Sequence, residues 1–220
     1  MKKTINILNI CLILAILAGD VCYIIFGGLW LKSITSAGFV LLGAVNLIYA
    51  LKNKNNNKPF LFVMLFGLIF GMAGDIVLNL HFMAGAIVFA VGHVFYIVAY
   101  SLLNKIHWKD LIPSALIFIP SVLVITLLPI FDFGGVVMEL VCVFYALIIS
   151  CMVGKAVANL IKERSLFNLI IMIGSCLFFF SDLMLLLDVF AGLGSVVGIL
   201  CLATYYPAQI LLALSLSMKK

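Results

Sequence analysis

The sequence predicts an all-α, polytopic integral membrane bundle of eight transmembrane helices. Three observations predict it. Of the 220 residues, 66% are hydrophobic and only 10% charged, too few polar side chains to cover a soluble surface. The apolar residues form long uncharged runs, each near the roughly 20 residues that a helix needs to cross a bilayer. No run has the strict alternation of a barrel strand, and a lipid-exposed backbone must satisfy its own hydrogen bonds, so the runs are expected as helices.

Charges, Gly, Pro and Asn divide the chain into spans near 5–26, 34–51, 60–78, 82–103, 110–129, 135–158, 166–187 and 193–216, read as one transmembrane domain over 1–220. The first follows Met1-Lys2-Lys3 and resembles a secretory signal, but its length and the absence of a clean small-x-small site favour a retained span. Between the second and third lies Lys52-Asn53-Lys54-Asn55-Asn56-Asn57-Lys58, the one low-complexity piece.

Basic residues orient the bundle. One set of span ends carries Lys2, Lys3, Lys52, Lys54, Lys58, Lys105, Lys109, Lys162, Arg164, Lys219 and Lys220; the opposite ends carry Lys32 alone. This bias predicts a multi-pass cell (plasma) membrane protein with both termini cytoplasmic, and Lys155 is expected to snorkel from span six. The net charge of +5 is thus a topology signal and not a nucleic-acid footprint. Cys11, Cys22, Cys142, Cys151, Cys176 and Cys201 all fall in apolar runs without a CxxC pair, and read as buried small hydrophobes.

Span three closes on Gly-Met-Ala-Gly-Asp75-Ile-Val-Leu and span seven on Phe-Phe-Phe-Ser-Asp182-Leu-Met-Leu. Each precedes a short turn and a span carrying a tyrosine, Tyr96 or Tyr205. The two halves therefore read as parallel four-helix repeats about an axis along the membrane normal.

Of eight acidic residues, Asp110, Asp132 and Glu163 are assigned to loops, whereas Asp20, Asp75, Glu139, Asp182 and Asp188 fall within or at the edge of spans, toward the less basic side. Asp75 lies about 15 residues into its helix, roughly 22 Å from the basic end at about 1.5 Å per residue, and Asp182 has a similar depth. A carboxylate at mid-bilayer costs roughly 2.5–3.5 kcal/mol even on the gentlest scale, so it faces a cavity or a partner. Glu139 and Asp188 are read as wet helix ends, with Glu139 favoured by the helix dipole; Asp20 is open to either role. Asp75 and Asp182 are the candidate catalytic pair.

Other polar side chains are candidates for substrate binding. His93 and Tyr96 are three apart and share a helix face; Tyr205 and Gln209 are one turn apart around Pro207, which should kink span eight. Asn79 stands one turn beyond Asp75 and within its hydrogen-bonding reach. Ser181 precedes Asp182, and Lys32 is placed to meet an anionic headgroup. One intraspan histidine and no Cys/His cluster leave no zinc site, no cofactor is expected, and no GxSxG elbow occurs. Any chemistry must come from carboxylic acids.

The stretches Gly74-Asp75-Ile76-Val77-Leu78, Gly92-His93-Val94-Phe95-Tyr96, Phe180-Ser181-Asp182-Leu183 and Tyr205-Tyr206-Pro207-Ala208-Gln209, in this order, resemble the YhhN-like membrane family, which includes the animal lysoplasmalogenases. Leu31-Lys32-Ser33-Ile34-Thr35 resembles that family's Lys-Pro-Leu-Thr element, with serine in place of proline. The resemblance covers residues 31 to about 215. It implies an eight-span hydrolase that cleaves the vinyl-ether bond of a lysoplasmalogen to a fatty aldehyde and a glycerophospho-base, with a lipid or lysolipid as substrate. Such chemistry needs one carboxyl that gives a proton to the β-carbon and one carboxylate that stabilises the cation or activates water, as in glycosidases. Asp75 and Asp182 suit those roles. A carrier of a small amphiphile using the same acids as proton relays, and a lipid-binding structural protein, are the competing classes.

Overall fold

A computed structural model describes residues 2–53 and 57–218. The middle of the Asn-rich loop, with Lys54, and the terminal Lys219 and Lys220 lie outside the described residues. The described chain is helical apart from short connections, without strands, and eight helices are long and apolar enough to cross a membrane. The protein is a multi-pass membrane protein.

Each helix begins or ends for a local reason. α1 (Lys2–Phe26) stops at Gly27 and Gly28, whose φ of 66° and 95° belong to the left-handed region that glycine tolerates. α2 (Leu29–Lys52) starts directly after them on Leu29-Trp30-Leu31. Span two was expected from residue 34; these apolar residues extend it back, so Lys32 lies inside the helix and only 8% exposed. α3 (Lys58–Leu80) carries Pro59 in its first turn, where a missing N–H is harmless. His81 ends α3 in extended conformation, and its Nδ1 accepts from Ala84 N–H to cap α4 (Phe82–Leu103).

A single 3₁₀ turn, Trp108–Asp110, leads into α5 (Leu111–Leu127). α6 spans Val136–Lys162. Ser165 then caps α7 (Leu166–Ala191), its hydroxyl accepting from Asn168 N–H at 3.2 Å. Gly192, at φ 62°, closes α7, and α8 (Ser195–Ser215) contains Pro207.

Packing pairs α1 with α2, α2 with α3, and α3 with α4; the same steps recur as α5 with α6, α6 with α7, and α7 with α8. α2 also meets α8, as α6 meets α4. The equivalence breaks at two places: α8 lies on both α3 and α1, whereas the backbone of α4 approaches neither α7 nor α5, and α4 meets α7 only through side chains. α4 and α7 are held apart by Phe89, His93 and Phe178, large side chains that fill the space between them. On α3, Gly71 and Gly74 admit Gln209 and Phe89: an added Cβ would meet Gln209 Nε2 at 2.6 Å and the Phe89 ring at 2.7 Å. Small residues at such positions let polar and aromatic side chains enter a bundle whose helices otherwise pack closely.

Candidate functional site

Asp75 and Asp182 sit in two separate hydrogen-bonded clusters. Asp75 is 2% exposed. Its Oδ2 accepts from Ser36 Oγ on α2 at 2.6 Å and from Tyr205 OH on α8 at 2.7 Å. Its Oδ1 is paired with Lys32 Nζ at 3.5 Å. A buried carboxylate supplied with a cation and two hydroxyl donors is the arrangement that offsets desolvation. The network continues outward. Gln209 Nε2 donates to Tyr205 OH at 3.2 Å, and Tyr96 OH donates to Gln209 Oε1 at 3.0 Å. Tyr206 OH lies 3.3 Å from Ser36 Oγ.

Asp182 has other company. Tyr145 on α6 donates its hydroxyl to Asp182 Oδ2 at 2.6 Å. His93 Nε2, on α4, lies 2.8 Å from Tyr145 OH and 3.3 Å from the same Oδ2. His93 is fully buried, and its Nδ1 has no hydrogen-bond partner among the described residues. The two clusters follow one plan. Each aspartate, on the third helix of its half, is met by the second helix of that half and by the fourth helix of the other: α2 and α8 for Asp75, α6 and α4 for Asp182.

An aromatic partition separates them. Phe178 packs its ring against His93 at 4.7 Å and against Tyr205 at 5.3 Å, and Phe89 lies 6.2 Å from Phe178 and 6.0 Å from Tyr205. Asp75 and Asp182 share no hydrogen-bond partner among the described residues.

Among the described residues, Asp182 faces open space. A groove with about 90 Å3 of cavity volume runs along α4, α5, α6 and α7 and touches Leu78 at the end of α3. Its walls are apolar, with Ala86, Val124, Ala146, Ile149 and Leu186 among them, and it reaches Asp182 and Tyr145. Phe82 and Phe190, in edge contact at 5.3 Å, lie toward its far end. Asp182 is the one charged residue lining it among the described residues. Apolar walls and few polar groups are the rule in small-molecule sites, although about 90 Å3 lies below their usual range of roughly 300–1,000 Å3.

The remaining candidates divide between these places and elsewhere. Lys32, Tyr96, Tyr205 and Gln209 join the Asp75 cluster, and His93 joins Asp182. The face shared by His93 and Tyr96 is thus split between the two clusters. Asn79 does not reach the Asp75 carboxylate: its Nδ2 donates to the Asp75 main-chain oxygen one turn back, at 2.8 Å. Ser181 turns away from Asp182 and contacts Cys201 Sγ at 3.4 Å. Asp20 is 5% exposed, with Oδ1 unpartnered among the described residues.

Sequence reasoning missed Ser36, Tyr206 and Tyr145. Tyr145 carried a usable signal, being the one tyrosine of span six, as Tyr205 and Tyr206 stand out in span eight. It also misassigned two charges. Asp110, read as a loop acid, is 4% exposed, and Lys155, expected to snorkel, is 3% exposed. The two form an ion pair at 2.7 Å, with Lys162 Nζ on the other carboxylate oxygen at 2.8 Å.

Among known proteins, the model of the YhhN family matches residues 30–216, from the start of α2 to just past α8. No curated protein and no solved structure matches.

Proposed function

We propose that this chain, which belongs to the YhhN family, is a membrane-embedded ether-lipid hydrolase of the lysoplasmalogenase kind. It would cleave the vinyl-ether bond of a lysoplasmalogen to a fatty aldehyde and a glycerophospho-base. The observation that carries this reading is Asp182 at the polar end of an apolar groove, backed by Tyr145 and His93. The groove takes the alkenyl chain, which brings the enol ether to the carboxyl group. Asp182 Oδ2 is occupied by Tyr145, so Oδ1 is the oxygen that meets substrate. As a carboxylic acid it protonates the β-carbon; as a carboxylate it then lies beside the oxocarbenium ion.

Asp75 takes the second place in the proposed pair. It stands behind Phe89 and Phe178, and acts by fixing Tyr205, against which both rings pack. Lys32, Tyr96 and Gln209 belong to this supporting layer; Asn79, Asp20 and Ser181 lie beside it. The same reading puts both termini in the cytoplasm and the protein in the cell membrane, from the excess of basic residues at one set of helix ends.

A second reading is favoured by one observation, the repeated plan of the two aspartate clusters. Carriers are commonly built from such repeats, with their sites at the interface. A single assay separates the readings. Purified protein in detergent is given lysoplasmalogen, and free aldehyde is measured. Aldehyde release that disappears in Asp182→Asn supports the hydrolase. A folded wild type that releases none, yet moves a labelled lysolipid across vesicles, supports the carrier.

A further inference from the structure

The two halves of the bundle differ in what closes one flank. In the first half α1 packs on α2 and also on α8. In the second half α5 corresponds to α1, and α4 to α8. α5 packs on α6 and on the 3₁₀ turn before it, and its backbone approaches no other helix among the described residues. α4 therefore stands clear of α5, and the groove to Asp182 runs along both. Phe82 and Ala86 line it from α4, and Ser121 and Val124 from α5. All four are partly exposed.

The slot between α4 and α5 is shut at both ends. At the basic end the chain itself joins the two helices, and Asp110, paired with Lys155 and Lys162, ties that joint to α6. Ser114 of α5 then fits against Gly154 of α6, where a side chain would have no room. At the other end Phe190, which lines the groove, packs on Phe82 at 5.3 Å and on Phe133 at 4.9 Å. Asp132 N–H donates to the Phe190 carbonyl at 2.8 Å, which fastens the α5–α6 connection to the same residue. What stays open is the side between two membrane-spanning helices, and that side faces hydrocarbon.

Size and polarity say what passes there. The cavity of about 90 Å3 is smaller than the roughly 150 Å3 that takes up benzene, so a long chain cannot lie wholly inside it. Ser121 is the one hydroxyl that α5 brings to the groove, and it donates to the Ile117 carbonyl at 2.8 Å. The slot thus offers a water-soluble ligand nothing to bind.

We propose that the slot between α4 and α5 is a side window through which the hydrocarbon chain of a single-chain membrane lipid reaches Asp182 directly from the bilayer, its far part staying among the lipid tails. This takes the groove of the hydrolase reading as the substrate site. In the first half α8 lies on α1 and closes the equivalent slot, so Asp75 receives no lipid.

The test plugs the window after folding. Full-length Ser121→Cys protein in phosphatidylcholine nanodiscs is treated with a bulky maleimide, and wild type is treated alongside as the control for the native cysteines. A saturated ether lysolipid with a diazirine in its chain is then photolysed, and adducts are mapped by mass spectrometry. Untreated protein is expected to carry adducts on Asp182 and Tyr145. Keeping two methylenes out of the groove lowers its occupancy by about tenfold, so these adducts should fall by at least that factor in the treated variant. Treated wild type should keep them, and adducts on the lipid-facing Leu14 and Ile25 should persist in every sample. Three results overturn the window: no groove adducts in untreated protein, as when a second copy of the chain covers the slot; groove adducts unchanged after alkylation; or a thiol at position 121 that the maleimide does not reach. Absence of aldehyde from lysoplasmalogen defeats the hydrolase reading alone, since the adducts report entry without hydrolysis.

Discussion

The Tyr145 hydroxyl donates to Asp182 Oδ2 at 2.6 Å while its own oxygen lies 2.8 Å from His93 Nε2. One phenol thus links the carboxylate at the groove to the buried imidazole behind it. Removing it frees both neighbours to turn.

Tyr145→Phe keeps the ring and deletes the link. The groove walls are unchanged, so the expected loss is in kcat, by about 10–100-fold, which is below the 10²–10⁴ of a proton-transferring group, with KM nearly constant. Steady-state aldehyde release against substrate concentration checks this; an equal rise in KM would place Tyr145 in substrate binding.

Asp182→Asn and Asp75→Asn are expected to fail differently. The first removes the proton donor at the groove, and activity should fall about 10²–10⁴-fold with thermal stability nearly kept. The second leaves Lys32, 8% exposed, without its counter-charge. A broken buried pair costs about 3–5 kcal/mol. Lys32→Met combined with Asp75→Asn should recover part of that loss, a coupling that a double-mutant cycle of melting in detergent measures.

How much of this was legible in the sequence follows from what hydropathy encodes. Length and apolarity specify eight spans, and a carboxylate too deep for water marks Asp75 and Asp182 whatever the helices do around them. Neither property says which helix faces which. That is why the two aspartates, matched in depth, read as one pair although Phe178 and Phe89 stand between them. Tyr145 was passed over because a tyrosine in an apolar run has no charge to flag it. Asp110 and Lys155 were misread because a residue at a span edge looks wet until its partner is known. Lys32 falls outside a span drawn from residue 34 because Lys32 and Ser33 interrupt the apolar run, although Leu29, Trp30 and Leu31 carry the helix back past it.

The groove sets a chain-length prediction. Ala86 lines it together with Ala146 and Leu186, and Ala86→Phe fills part of the space. Each methylene kept out of the groove forfeits about 0.8 kcal/mol, so losing two weakens binding by about tenfold. KM should rise by that factor for long-chain lysoplasmalogens and stay nearly level for short-chain analogues. A uniform rise across chain lengths would place the alkenyl chain elsewhere.

The ion cluster at the opposite end of the bundle predicts an order of stabilities. Asp110 receives Lys155 Nζ at 2.7 Å, Lys162 Nζ at 2.8 Å and His107 N–H at 3.1 Å, and Lys155 also donates to the Lys105 carbonyl at 3.3 Å. It ties the α4–α5 connection to α6. Asp110→Asn leaves two lysines facing each other, one of them 3% exposed, so this variant should lose the most, about 3–5 kcal/mol. Lys155→Met leaves Asp110 still paired with Lys162 and should lose less. Lys162, about a third exposed, is screened, and Lys162→Met should change stability by under about 1 kcal/mol. Melting of the three variants in one detergent gives the order directly. Because the cluster lies at the end of α6 away from the groove, aldehyde release per folded molecule should be the same in all three.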